Sequence, residues 1–207
     1  MAVKVIGIVG SYRKGKNIDS AIAAVLEGAK STGAEVHKIF LPDKHIEFCT
    51  NCRKCVQDKT KGKRGKCIHS DDMEEILDQI DGSDAIVLGS PVNFSNVTAV
   101  IKRFIERLIP YTYWPWGKTL APVLRDKRRD KKAIIITSSA CPAIIGRFLM
   151  PGALSTLKKA VTYMGARVIK SFYFGSVAGK NDSQLPDKYL LKSHKAGEKL
   201  VSAVRSG

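Results

Sequence analysis

Along the chain, short runs of β-branched and aliphatic residues alternate with longer segments whose apolar positions recur at helical spacing. Residues 4–9 predict a strand, and 18–30, with alanines and aliphatics on one face, predict a helix ending near Gly33. Residues 35–40 form a second strand-like run. Asp71 opens the next helical pattern, with Glu74 three residues on as its capping-box partner and a stop near Gly82. Residues 85–88 predict a buried strand, and 97–109 a helix closed by Pro110. Residues 132–137 predict a fourth strand. Pro151 suits the first turn of a helix reaching about Tyr163. Residues 167–174 predict the fifth strand and 186–204 the last helix.

Five strands alternating with helices imply an α/β fold, a doubly wound five-stranded parallel sheet with both faces covered. In such sheets a ligand sits beyond the carboxyl ends of the strands. Three loops occupy that edge: GSYRKGKN after the first strand, SPVNFSNVT after the third and SSACPAIIGR after the fourth.

Length and composition narrow this further. A chain of 207 residues, 44% hydrophobic, suits one domain over 1–207, with a cysteine-rich insertion at 41–70. No apolar run approaches the roughly 18 residues of a membrane span, and the apolar start is too short for a signal sequence. The expectation is a cytoplasmic protein with no membrane partner. The net charge of +16 is concentrated in KTKGKRGK and RDKRRDKK. Each block is either a docking patch for an anionic partner or a solvated loop. Neither interleaves the aromatics that a single-strand groove uses, so nucleic acid is not the expected partner.

The stretch GSYRKGKN imitates a nucleotide-binding P-loop, but Asn17 stands where the metal-binding hydroxyl belongs. The third and fourth strands also end without an acid for the metal, which excludes NTP hydrolysis. No GxGxxG is present. What is left is a loop rich in donors at a helix start: the Ser11 hydroxyl, the Arg13 guanidinium, the Asn17 amide and the first N–H groups of the helix. Such a nest holds a terminal phosphate without metal; the alternative is an ordinary solvent-facing turn.

Four of the five cysteines crowd together. Cys49, Cys52 and Cys55 are spaced x2 and x2, and Cys67 follows after eleven residues. Four such thiolates chelate a [4Fe–4S] cluster or a zinc ion, or stay free; spacing alone leaves all three open. Cys141 lies in the third loop, facing a ligand or filling a small apolar gap. The four histidines are scattered, with no catalytic triad or paired carboxylates. The aromatic stretch YTYWPW reads as a lid, a stacking surface, a dimer interface or a packed loop.

GSYRKGKN, the cysteine segment running into CIHSDDMEEI, and GSPVNFSNVTAVIKRFIER together resemble the flavodoxin-like NADPH-dependent FMN reductase family, in its iron–sulfur-flavoprotein-like branch. The resemblance implies the strand order 2-1-3-4-5 and an FMN phosphate held by Ser11, Arg13 and Asn17. Ile18 occupies a position the family fills with Thr or Ser, so one hydroxyl contact is missing, with Lys16 or Ser20 to compensate. Pro91, Val92, Phe94, Asn96 and Val97 would border the flavin ring, with Asn93 where Tyr is common. The third loop departs from the family pattern, and Ser139 and Ala140 are placed at the site by their position alone. Cys49, Cys52, Cys55 and Cys67 would be the cluster ligands.

The implied function is an FMN-dependent oxidoreductase passing electrons from NAD(P)H to a quinone or similar small acceptor, with the flavin rather than a side chain doing the chemistry. An alternative is an iron–sulfur flavoprotein carrying electrons between ferredoxin and other acceptors, the basic blocks then docking the acidic ferredoxin. A second alternative, read from cysteines and charge alone, is a zinc-stabilised nucleic-acid-binding module. The family further implies a homodimer or homotetramer, with the flavin near a subunit boundary.

Overall fold

The structure, a computed structural model, describes residues 2–57, 59, 62–178 and 184–206. Its main sheet has five parallel strands: β1 (Lys4–Val9), β2 (Glu35–Phe40), β3 (Ala85–Pro91), β6 (Lys131–Ser138) and β7 (Ala166–Phe174). Their order is β2-β1-β3-β6-β7, which is 2-1-3-4-5 when the strands of this sheet are counted alone. Alternate residues of one strand enter opposite cores, as the pleat requires. Ile86 and Leu88 pack with α2 (Met73–Asp81), α3 (Ala99–Glu106) and α5 (Gly152–Tyr163). Ala85 and Val87 pack with α1 (Asn17–Ser31) and α6 (Asp187–Arg205). The central strands are buried on both sides, which is why they read as unbroken aliphatic runs. Helices α1 and α6 meet at two glycines: a Cβ at Gly28 would collide with the His194 carbonyl, and one at Gly197 with that of Val25.

The strands and long helices fall within about two residues of the pattern-based expectation, the usual uncertainty of element ends, except that β3 runs three residues past it, to Pro91. Three departures have physical causes. First, α3 ends at Glu106, and Pro110 lies inside a separate 3₁₀ turn, Ile109–Tyr111. Second, Asp71 and Glu74 do not form a capping box. The Asp71 carboxylate accepts from the Met73 and Glu47 N–H groups and from Arg107, while Glu74 pairs with Arg64. Third, loop segments contain short elements that the periodicity does not show: α4 (Ala143–Leu149) and an antiparallel pair, β4 (Thr112–Tyr113) with β5 (Val123–Leu124). Helix α4 leaves Ile144, Phe148 and Leu149 exposed, so it carries no buried stripe to read. Among the described residues, no helix is long and apolar enough to cross a membrane.

Candidate functional site

The loop after β1 leads directly into α1. Gly15 adopts φ +71°, which a side chain would resist, and lets the chain turn into the helix. At the N-cap, Lys16 makes no side-chain capping bond. The first-turn N–H groups of α1 therefore lack a side-chain cap, as an anion-binding helix start requires. Ser11 is buried and accepts from the Arg13 N–H at 3.2 Å. Asp19, which the sequence did not single out, is buried at the same turn. It accepts from the Gly15 N–H at 2.7 Å and pairs with Lys38 at 2.8 Å, which neutralises its charge. Its one sequence signal is an acid in the first turn of a helix. Ser20 donates to the Gly15 carbonyl at 3.0 Å, so its hydroxyl braces the loop. Ile18 is buried in the core against Gly89.

The other loops are bonded to this one. Gly10 donates to the Gly89 carbonyl at 2.8 Å, and Thr98 donates to the Gly10 carbonyl at 2.8 Å while capping α3. The Tyr12 hydroxyl accepts the Val100 N–H at 3.1 Å. Asn17 donates its amide to the Val177 carbonyl at 2.8 Å, leaving its buried Oδ1 without a partner. Val177 in turn donates to the Ser139 carbonyl at 3.3 Å. Asn17 and Ser139 are thus joined through the turn after β7, a fourth loop that the sequence reading did not include.

Beyond β3, Val92 donates to the Ser138 carbonyl at 2.8 Å, which fixes Pro91 and Val92 beside β6. Asn93 and Asn96 then exchange backbone bonds at 2.7 and 3.0 Å around a two-residue tip. Both tip residues are left-handed, Phe94 at φ 46° and Ser95 at φ 61°. This is a type I′ turn built without glycine, a costly choice for an aromatic residue. Phe94 is completely exposed. Asn96 accepts from the Val97 N–H at 2.8 Å and from Thr156 of α5 at 3.1 Å, so the turn stands on the α5 start. Val97 is buried beneath it.

The cysteine segment is irregular, but Cys49, Cys52, Cys55 and Cys67 all line one small cavity of about 30 Å³. Burial pushes the Cys55 thiol up to about 11, and the neighbouring Cys67, Cys49 and Cys52 add to the rise. A buried thiol among three others is favoured as a thiolate only beside a cationic centre. Among the described residues no group of three or more His, Cys, Asp or Glu side chains is arranged to hold a metal ion. A zinc ion draws its sulfurs to about 2.3 Å from a single point; an iron–sulfur cluster, being larger, takes its thiolates farther apart. Arg53 Nε, His69 Nε2 and Trp114 Nε1 are buried without a hydrogen-bond partner, and all three side chains line this cavity. Arg107 also lines it and donates to Cys67 Sγ at 3.5 Å. Nitrogen-bearing side chains that share a cavity with four cysteines suit a sulfide-bearing anionic cluster, whose sulfurs accept hydrogen bonds.

Four arginines hold this segment. Arg107 is buried and donates to both Asp71 oxygens, at 2.6 and 3.1 Å, and to the Glu47 carbonyl at 2.8 Å. Burial alone would raise the Asp71 carboxyl; Arg107 and the Glu47 and Met73 N–H groups outweigh it and hold the carboxyl below its usual range. Arg64, from the first basic block, bonds Glu74, Asp78 and Asp81 on α2. Arg125, from the second block, donates to the Pro110, Thr112 and Cys55 carbonyls at 3.0–3.1 Å. Arg53 stacks between Trp114 and Trp116, with ring centroids 3.6 and 4.1 Å away. The aromatic stretch is therefore a cover over the cysteine segment, and the basic blocks supply two of its fastenings. Cys141 is half-buried, 3.3 Å from Ser139 Oγ.

The sequence profile of NADPH-dependent FMN reductases matches residues 3–180. Among curated relatives, an iron–sulfur flavoprotein of Archaeoglobus fulgidus is 39% identical over 113 residues, which is 55% of this chain and 49% of the relative. A second from that organism is 29% identical over 152 residues, 72% of each chain. An iron–sulfur flavoprotein of Methanosarcina thermophila is 33% identical over 107 residues, 52% of this chain and 53% of the relative. The chain thus spans about half the length of the first curated relatives it matches. Among solved structures, a flavone reductase superposes with TM-score 0.69 at 19% identity, covering 98% of this chain and 63% of the other. An NAD(P)H:quinone oxidoreductase from Methanothermobacter marburgensis gives 0.67 at 19% identity, covering 97% and 96%. With its flavodoxin-like sheet and a matched region that takes in both the donor-rich loops and the cysteine segment, this chain belongs to the NADPH-dependent FMN reductase family.

Proposed function

We propose that this chain is an FMN-dependent oxidoreductase that passes electrons from NAD(P)H to a quinone or similar small acceptor. The observation that carries this reading is the convergence of four loop ends on the uncapped start of α1. The residues proposed to hold the phosphate are Ser11, Arg13 and Asn17, with the helix dipole adding favourable field. The orphaned Asn17 Oδ1 is an acceptor suited to a hydroxyl of the ribityl chain. Pro91, Val92 and the turn from Asn93 to Asn96 present backbone groups and the exposed Phe94 to the ring. Bound FMN supplies two-electron acceptance from a nicotinamide and release to the acceptor. The chain's part is to seat, orient and cover it. Fluorescence titration of apoprotein with FMN tests this: tight quenching, lost in Arg13→Ala combined with Asn17→Ala, is expected, and no binding by the parent chain ends the reading.

The cysteine cavity favours a second reading alongside the first. In it Cys49, Cys52, Cys55 and Cys67 hold a [4Fe–4S] cluster, and the protein exchanges single electrons with a ferredoxin-like partner. Its support is the cavity that four cysteines share with side chains bearing unpartnered nitrogens. Iron and sulfide analysis after anaerobic purification separates the two: flavin without iron leaves the reductase reading alone.

A further inference from the structure

We propose that the N–H groups of Trp114, Arg53 and Arg107 form a donor shell that raises the reduction potential of a cluster held by Cys49, Cys52, Cys55 and Cys67. This rests on the iron–sulfur reading above and adds to it which residues set the potential. A buried donor without an acceptor is unfavourable, and native structures rarely leave one unexplained. Here two such donors come from one packed pair. Arg53 is fixed in the left-handed region at φ 60°, and its ring contacts hold the guanidinium between two indoles. Its Nη2 is engaged by the Trp114 and Pro115 carbonyls at 2.9 and 3.2 Å, which leaves Nε. Trp114 is anchored through its backbone N–H to the Val56 carbonyl at 2.9 Å, which leaves the indole N–H. Both side chains line the cavity together with Arg107, whose charge-assisted donation reaches Cys67.

The chemistry of the occupant follows from these groups. Arg53, Arg107 and Trp114 line one cavity with four cysteines, and Arg107 donates to one of them, so the site suits an anion with several acceptor sulfurs. Reduction adds one negative charge to such a cluster. Donors and cations fixed around it stabilise the more negative state and raise the potential.

An EPR-monitored redox titration of the anaerobically purified protein tests this. Trp114→Phe keeps a ring face on Arg53 and removes the indole N–H. The reduction equilibrium is expected to fall about tenfold, or ~59 mV for one electron. Trp116→Phe alters the other ring on the same arginine, but Trp116 is exposed and contributes no orphaned donor, so its potential should match the parent's. Arg53→Lys, which keeps the cation and loses Nε, carries the same expectation as Trp114→Phe and serves if that variant fails to retain iron. A parent-like potential in whichever of these two holds the cluster overturns the donor shell while leaving the cluster in place. A parent protein without iron removes the iron–sulfur reading and the shell with it.

Discussion

The head of α1 and the cysteine cavity lie in one chain but are built by opposite means. The cradle is made from backbone: a strand end, a glycine turn and a helix start, tied to neighbouring strand ends by main-chain bonds such as Gly10 to Gly89. Among the described residues the cavity has almost no regular structure beyond a 3₁₀ turn at Lys54–Val56, and long side chains hold it shut. Arg107, Arg64, Arg125 and Arg53 each reach over ten or more residues to fix it. A site made from backbone tolerates side-chain change around it, whereas a site fastened by buried charges fails when one fastening is cut.

The largest expected effect follows from that difference. Arg107→Met leaves the Asp71 carboxylate buried without its cation, a loss of about 3–5 kcal/mol. Denaturant melts should show the cost, iron retention should vanish, and FMN affinity should stay near the parent's. Simultaneous loss of flavin would show that the two sites are not separately built. Acid reaches the same pair. Because the folded Asp71 carboxyl sits below its usual value, its contribution is fully present above the unfolded pKa of about 3.9 and is lost as pH falls through the folded value. Arg107→Met should therefore flatten the acid limb of a stability-against-pH curve; an unchanged limb would contradict the pairing.

The same contrast explains what could be read in advance. Both edges of β1 and β2 and the loops holding Ser11, Asn17 and Asn96 were legible, because local periodicity and turn chemistry dictate them, while the sheet order followed from the family resemblance. Asp19 and Val177 were not, since nothing local distinguishes a carboxylate that meets Lys38 on β2 or a carbonyl that meets Asn17 across the edge. In the cysteine segment only the thiols were visible. Arg107 looked like one more charge near the end of a helix, and Arg64 like one more cation in a basic run. His69, which looked like a scattered histidine, lines the cavity. Partners far apart in sequence leave no periodic trace.

At the cradle, Asn17→Asp is the next test in size. It adds a negative charge where an anion is proposed to sit and should weaken FMN binding about 10–100-fold, roughly 1.4–2.7 kcal/mol, with iron content unchanged. An affinity equal to the parent's would move the phosphate elsewhere. Phe94→Gly is the smallest. It relieves a left-handed aromatic and should stabilise the apoprotein by about 1 kcal/mol while loosening the flavin. If the substitution destabilises the fold instead, the Phe94 turn is a packing feature and not a strained ring contact.

The most direct single measurement is a crystal structure of the anaerobically purified protein with FMN added, collected at the iron absorption edge. The expected result places the flavin phosphate on Ser11, Arg13 and Asn17 and an anomalous iron peak among Cys49, Cys52, Cys55 and Cys67. A flavin seated away from the α1 start, with those three side chains turned from it, would contradict the cradle on which the proposed electron chemistry stands.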